Sequence, residues 1–341
     1  MDEPTAAVSQ REVERIFEII QSLKAKGITI VYISHRMDEI LRIADRITVM
    51  RDGAIVDTVL AEETDKQQLV RMMIGYNLSN YYVKSRHAVG ETILKAEHIT
   101  RRDRKVRDAS FVLRKGEIVG FAGLVGSGRT ELIQTIYGIV PPQSGSITLY
   151  GKQVTIRNPI EALDAGICLV PEDRKFLGLF LGNHVRFNLT IGILKRFIQW
   201  KWAGVNIAME QDLAEEYIDK LSIKASSQTQ KVMNLSGGNQ QKIVIGKWLL
   251  AAKDIIILDE PTRGVDVGAK AEIYALMDQL IAQGKSIIMI SSELPELLNM
   301  SDRIYVMRGG EIMKEFDDAE HFDQEEILSC MMGVENKEAA V

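Results

Sequence analysis

The residues Gly123-Leu-Val-Gly-Ser-Gly-Arg-Thr130 stand between an apolar run, Ile118 to Ala122, and the helix-like stretch Glu131-Leu-Ile-Gln-Thr-Ile-Tyr137. A strand, a glycine loop and a helix start, in that order, suit phosphate binding. Small residues let successive backbone N–H groups turn inward, and the helix N-terminus adds positive potential. The pattern G-x-x-x-x-G-K-[ST] is met at every fixed position but one, because Arg129 stands where the phosphate-binding Lys belongs. Arg keeps the charge but presents a planar fork on a longer stem. A second stretch, Ile255-Ile-Ile-Leu-Asp259-Glu260, is an apolar strand ending in two carboxylates, one suited to hold Mg²⁺ and one to orient an attacking water beside such a loop. Between the two lies Leu235-Ser-Gly-Gly-Asn-Gln-Gln-Lys242.

Holding these groups in place takes a parallel sheet with helices around it. Two strands, Ile93 to His98 and Ala109 to Leu113, lead to the glycine loop. After it, Gly145 to Gly151 reads as a strand with turns and Gly166 to Pro171 as a buried strand running into Glu172-Asp-Arg-Lys175. From about Asn183 to Met233 the pattern turns helical, with Leu213, Tyr217, Ile218 and Leu221 as an apolar stripe. Trp200 and Trp202, in the same region, read as core packing, and Cys168 reads as a small core residue.

A length of 341 residues allows one large domain and part of another, and 46% apolar with 26% charged residues is an ordinary globular balance. A net charge of −5 without basic blocks argues against a dedicated nucleic-acid surface. The two cysteines, Cys168 and Cys330, exclude a disulfide framework and fit a reducing compartment. No apolar stretch approaches the roughly 20 residues that span a bilayer, so membrane association is expected through a partner.

The tetrad Asp2-Glu3-Pro4-Thr5 recurs as Asp259-Glu260-Pro261-Thr262. Laying residues 2–53 on 259–310 without a gap gives identity at about two positions in five, which marks an internal repeat. The pairing predicts a buried strand over Ile28 to Ile33 as over Lys285 to Ile290, and a strand and turn over Asp45 to Gly53 as over Asp302 to Gly310. The first copy has the carboxylate pair but neither a glycine loop nor a Ser-Gly-Gly stretch, so its sheet would lack flanking strands. The expectation is an N-terminally truncated form of a protein with two such domains. Between the copies, Gln67 to Gly75 reads as a helix and Tyr76 to Gly90 as a polar, turn-rich connection.

In their order, the three motifs resemble the ATP-binding cassette (ABC) ATPases. At subfamily level the chain is similar to the tandem-cassette ATPases of bacterial monosaccharide importers of the ribose, xylose and galactose type. The resemblance rests on Gly128 to Thr130, Glu172 to Lys175, Leu235 to Lys242, Asp259 to Lys270 and Ile290 to Glu296. It implies an α/β P-loop NTPase fold of the ABC type, with antiparallel β and helical subdomains. The implied layout is a remnant of a first cassette over 1–75, a linker over 76–92, a second cassette over 93–330 with its helical subdomain at about 183–233, and a tail over 331–341. An ATPase using ATP and Mg²⁺ is implied, peripheral at the cytoplasmic face of the cell membrane and bound to transmembrane sugar permease subunits. An extracytoplasmic sugar-binding protein would be an indirect partner, and nucleic acid none. Related nucleoside importers share much of the pattern, and a non-hydrolysing nucleotide-binding fragment remains a second reading. A soluble tandem-cassette protein acting on ribosomes or DNA would carry a long basic linker, which residues 54–92 do not provide.

The same resemblance distributes roles. Gly123, Gly126, Ser127, Gly128, Arg129 and Thr130 would bind the nucleotide phosphates. Thr130 and Asp259 would hold Mg²⁺, with Asp2 the counterpart in the first copy. Glu260 would orient the water, with Glu3 its counterpart. Ser236, Gly237 and Gly238 would cap the γ-phosphate held by an opposite cassette. Glu172 stands where the family has a Gln near Mg²⁺ and the water. The residue closing the site, usually His, is His35 in the first copy and Ser292 in the second. A full-length protein would therefore have one degenerate site, with Arg129, Glu172 and Ser292, and one competent site, with Glu3 and His35 and completed by Ser236 to Gly238. The stretch Arg104 to Asp108 has no aromatic residue for adenine to stack on.

Overall fold

The structure, a computed structural model, describes residues 1–2, 4–5, 10–34, 37–51, 54–66, 68–69, 72, 82, 84–85, 87–197, 206–251 and 253–333. The chain divides into two compact units, residues 1–81 with 266–271 and residues 82–265 with 272–341. The helix expected over Gln67 to Gly75, most of the connection after it, and Trp200 and Trp202 fall largely or wholly outside the described residues.

In the first unit the helix Gln10–Ala25 turns Val13, Phe17 and Ile20 to one side, where they pack with Ile43 of the short helix Met37–Ile43. The three-to-four spacing of these residues makes the apolar stripe. A hairpin follows, β1 (Arg46–Arg51) antiparallel to β2 (Ala54–Leu60), with a bulge between Val49 and Met50.

The buried strand expected over Ile28 to Ile33 is not formed. This stretch makes a single parallel bridge, Ile33 with Asp2, and its Ile28, Val31 and Ile33 are 48%, 73% and 54% exposed. The reason lies in its neighbours. An apolar parallel strand is stable when sheet partners and helices cover it, and among the described residues of this unit the only sheet is the β1–β2 pair.

In the second unit the strands are β3 (Thr92–Thr100), β4 (Ala109–Arg114), β5 (Ile118–Ala122), β6 (Ser144–Leu149), β7 (Lys152–Val154), β8 (Ile167–Val170), β9 (Ile255–Asp259), β10 (Ser286–Ile290), β11 (Arg303–Arg308) and β12 (Glu311–Phe316). They form two sheets, an antiparallel one in the order β4-β3-β6-β7 and a larger one in the order β12-β11-β5-β10-β9-β8. The larger sheet is parallel apart from β12. Every residue of β5, β8, β9 and β10 is buried, as unbroken apolar runs in a sheet covered on both faces should be. Phe111 of β4 meets Phe121 of β5 edge to face, and Phe121 stacks on Tyr305 of β11, so aromatic contacts join the two sheets. Cys168 lies in β8, fully buried, its thiol pushed up to about 12 by desolvation, and is an inert core residue.

The helical region holds Val185–Thr190 and Ile207–Lys220. In the latter Ala214 and Ile218 are buried, as is Leu221 beyond its end, whereas Leu213 and Tyr217 are half-buried. No helix among the described residues is long and apolar enough to cross a membrane.

The repeat is otherwise kept position by position. Gln10–Ala25 matches Val267–Ala282, Met37–Ile43 matches Leu294–Met300, and the bulge in β1–β2 recurs between Val306 and Met307 of β11–β12. Even the bridge from Asp2 to Ile33 repeats the register of Asp259 with Ile290. Since local opening is easiest where few apolar contacts must break, amides 28–33 should exchange about 100-fold or more faster than amides 286–290. Hydrogen exchange read by mass spectrometry checks this, and equal protection of the two stretches would refute it.

Candidate functional site

Sheet register decides where the chemistry gathers. Ile290 of β10 pairs with Phe121 of β5 on one side and with Asp259 of β9 on the other. The segments that follow, beginning at Gly123, Glu260 and Ser291, therefore leave the sheet side by side at the carboxyl ends of its strands, where open α/β sheets place ligands.

The glycine loop is a compact turn, with Ser127 N–H donating to Leu124 O at 3.0 Å and Gly310 N–H to Ser127 O at 2.8 Å. Gly128 has φ +103°, and a Cβ there would stand 2.6 Å from Lys105 O, so no other residue fits. The helix Arg129–Ile136 starts directly after it without a side-chain cap, which leaves its first N–H groups for a ligand. Ser127 Oγ is buried and has no hydrogen-bond partner among the described residues.

Thr130 Oγ1 donates to Asp259 Oδ1 at 3.3 Å, joining the loop to the carboxylate-ended strand. Asp259 is 4% exposed, and burial pushes its carboxyl group up to about 6, with Glu260 adding to the effect and the Thr130 bond opposing it. Glu260 adopts φ +50°, a conformation uncommon outside glycine, held by its N–H donating to Ile290 O at 2.9 Å. Its Oε2 accepts from Ser292 Oγ at 3.0 Å, and its Oε1 lies 3.9 Å from Arg129 Nη2. Desolvation raises the Glu260 carboxyl group as well. Arg129, 8% exposed, donates from Nη1 to Ser291 O at 2.6 Å.

One further carboxylate holds this edge together. Glu296, fully buried, accepts from Thr262 Oγ1, from Tyr274 OH at 2.6 Å and from Ser291 Oγ at 2.7 Å. It ties the loop behind Glu260 to the segment carrying Ser292, and a buried carboxylate needs such donors. In the first unit Glu39 accepts from Thr5 Oγ1 at 2.6 Å and Tyr32 OH at 2.9 Å, the same arrangement with its tyrosine on a different element.

The family profile for ABC transporters matches residues 106–263. The ribose import ATP-binding protein RbsA of Geobacillus kaustophilus is 47% identical over 98% of this chain and 67% of its own. The chain belongs to the ABC transporter ATP-binding family. The ribose import ATP-binding protein RbsA 2 of Rubrobacter xylanophilus is 46% identical over all of this chain, which spans 65% of that relative's length. The xylose import ATP-binding protein XylG of Moorella thermoacetica is 46% identical over 98% of this chain and 67% of its own. Among solved structures, a nucleotide-free ATP-binding cassette from an ABC transporter is similar with a TM-score of 0.58 at 25% identity, covering 71% of this chain and 95% of that one. A cassette in its ADP conformation gives 0.57 at 26% identity, over 71% of this chain and 95% of that one.

In this cassette the structure brings Gly123, Gly126, Ser127, Gly128, Arg129, Thr130, Asp259, Glu260 and Ser292 to one sheet edge. The described contacts of the other expected residues run elsewhere. Glu172 is paired with Arg263. Ser236 opens the helix Gly237–Leu250, and Gly237 packs against Arg174 and Gly264. Asp2 makes the bridge to Ile33, whereas Glu3 and His35 lie outside the described residues. Sequence reasoning missed Glu296 and Arg174. The recurrence of Thr5 with Glu39 as Thr262 with Glu296 was the one available signal for the former.

The raised carboxyl of Asp259 has a sign that can be tested. The folded state binds its proton more tightly than the unfolded chain, so stability falls as pH rises from about 4 through about 6 and stays lowered above. In the absence of divalent cations, Asp259→Asn should raise stability at pH 7.5 by about 1–3 kcal/mol and by almost nothing at pH 4. Denaturant melts at the two pH values measure the difference, and a gain independent of pH would rule the explanation out.

Proposed function

We propose that this chain is the nucleotide-binding part of an ATP-hydrolysing subunit that energises import of a monosaccharide through a membrane permease. The observation that carries the reading is the meeting of Thr130 with Asp259 beside Glu260, at the mouth of a glycine loop that opens a helix. The 46–47% identity to ribose and xylose import ATP-binding proteins supports the transport class. The proposed layout is a partial first cassette over 1–75, a linker over 76–92 and a second cassette over 93–330. The partners are transmembrane permease subunits and, through them, an extracytoplasmic sugar-binding protein, with the chain peripheral at the cytoplasmic face. Which sugar is carried would be set by those partners.

Loop N–H groups and Ser127 Oγ would receive the phosphate oxygens of ATP. Arg129 would give them charge-assisted bonds in place of the one it makes to Ser291 O. The residues fit a divalent cation, because the ionised form of a buried Asp259, whose carboxyl group is pushed up to about 6, is favoured by a neighbouring positive charge. Thr130 and Asp259 would hold Mg²⁺, which when bound neutralises charge on the phosphates. Glu260 would orient the attacking water, with Ser292 fixing one of its oxygens.

A second reading, binding with slow turnover at this site, is favoured by the same contacts. Ser292 offers a neutral hydroxyl where the family has an imidazole, and Glu172 is held by Arg263. In a full-length protein with two complete cassettes, fast hydrolysis would then belong to the other site, the one to which Glu3, His35 and Ser236 to Gly238 are assigned by the family resemblance.

Titration calorimetry with Mg-ATP tests the binding site. Arg129→Ala should weaken binding about 10- to 100-fold through loss of charged hydrogen bonds, and unchanged affinity would remove Arg129 from the phosphate site. In the assembled transporter of a full-length, two-cassette protein at saturating ATP, Glu3→Gln should abolish most hydrolysis while Glu260→Gln leaves much of it. The reverse result would move catalysis to the site around Arg129.

A further inference from the structure

The connection between the two copies ends in a row of residues seated on the second unit. Asp278, on the helix Val267–Ala282, receives most of them. Its Oδ1 accepts from Ser85 N–H at 2.7 Å and lies 3.0 Å from His87 Nε2, while its Oδ2 accepts from Ser85 Oγ at 2.8 Å. Desolvation raises the Asp278 carboxyl group, but the bonds from Ser85 and His87 outweigh it and hold the group below the usual carboxylate range. Lys84 Nζ donates to Ser301 O at 2.5 Å and pairs with Asp302 Oδ1 at 2.8 Å. Beyond them, Gly90 N–H donates to Lys115 O at 2.8 Å. At the near end the ring of Tyr82 packs against that of Tyr274, with centroids 5.1 Å apart and planes inclined by 31°. Tyr274 is fully buried, and its hydroxyl is one of the three donors to Glu296. The first copy has Gln21 where the second has Asp278, and Phe17 where it has Tyr274, and its Glu39 takes a tyrosine donor from Tyr32 instead.

We propose that the end of the connection is a latch seated on Asp278, and that Tyr82 is a positioning residue which, through Tyr274, holds Glu296 at the edge carrying Glu260 and Ser292. Its consequence for chemistry rests on the site proposed above, whereas the contacts themselves need no nucleotide. Ordering a chain segment costs backbone entropy, and here one carboxylate offsets much of that cost by holding two neighbouring residues. The same bonds deliver the Tyr82 ring to Tyr274. A buried carboxylate depends on its donors, and the direction of the Tyr274 O–H follows the orientation of its ring. When the latch opens, that ring loses a packing neighbour, Glu296 loses a fixed donor, and the segments of Thr262 and Ser291 loosen together.

Hydrogen exchange of the whole chain without nucleotide, read by mass spectrometry, tests this on the wild type and four variants. Asp278→Ala should raise exchange about tenfold at 84–85 and 87–90 and about threefold at 262–265 and 291–293, leaving 119–122 and 167–170 unchanged. Tyr82→Ala should loosen 262–265 and 291–293 to the same extent, whereas Tyr82→Phe, which keeps the ring contact, should restore the wild-type rates. Tyr274→Phe keeps the ring and removes the donor, so it should loosen 262–265 and 291–293 while 84–85 and 87–90 stay protected. A merely structural role would raise exchange at 119–122 and 167–170 as well, and that result overturns the proposal. So does an Asp278→Ala chain whose residues 84–90 stay protected, or one in which they open and 262–265 and 291–293 keep their wild-type rates. Failure of this contrast leaves the nucleotide site standing, and a chain that binds no Mg-ATP in calorimetry overturns that site while the latch is still read from exchange.

Discussion

The register of three buried parallel strands governs this cassette. β5, β10 and β9 are hydrogen-bonded side by side, with Phe121, Ile290 and Asp259 in one row. Each strand is buried on both faces, so a slip of one residue would break apolar contacts on two sides and move every following loop by a step. With that row set, the glycine loop, the carboxylate pair and Ser291 with Ser292 have to emerge together. Thr130 reaches Asp259, and Arg129 reaches Ser291, because of strand pairing that lies behind them in the core.

The site built on this edge is electrostatically unfavourable by itself. Asp259 and Glu260 are desolvated, both with carboxyl groups raised above their usual values, and Glu260 has a left-handed backbone. Such features persist where the surroundings over-determine them. Here the Glu260 N–H is fixed by Ile290 O, its side chain by Ser292, and the loops on either side by Glu296. A neighbouring positive charge would offset the desolvation of these two carboxylates.

Comparison of the two copies separates what the fold needs from what can vary. The buried carboxylate is kept as Glu39 and Glu296, and each has a threonine donor two residues after a glutamate position. The tyrosine is not kept in place. In the second copy it is Tyr274 on a helix, where the first copy has Phe17. In the first it is Tyr32, where the second has Met289. A buried acceptor requires a donor but does not dictate which element supplies it. Ile28, Val31 and Ile33 make the converse point, since an apolar stretch with the pattern of a core strand stays exposed when no sheet receives it.

Local pattern alone determined much of this protein. The glycine loop, the strand ending in Asp259-Glu260 and the repeat of Asp-Glu-Pro-Thr were readable because each is a contiguous run whose chemistry depends on neighbours in the chain. They sufficed to indicate the α/β fold and the family. The partners of the charged residues were not readable. Arg129 finds Ser291 across 162 residues, and Arg174 finds Arg263 across 89. The pairing of Glu172 with Arg263 was equally invisible in the sequence. Periodicity carries no information about such distant pairs, because they exist only after strand register and loop paths have been set. Tertiary structure alone decided them, because it brings together at the sheet edge polar groups that burial or proximity then pairs.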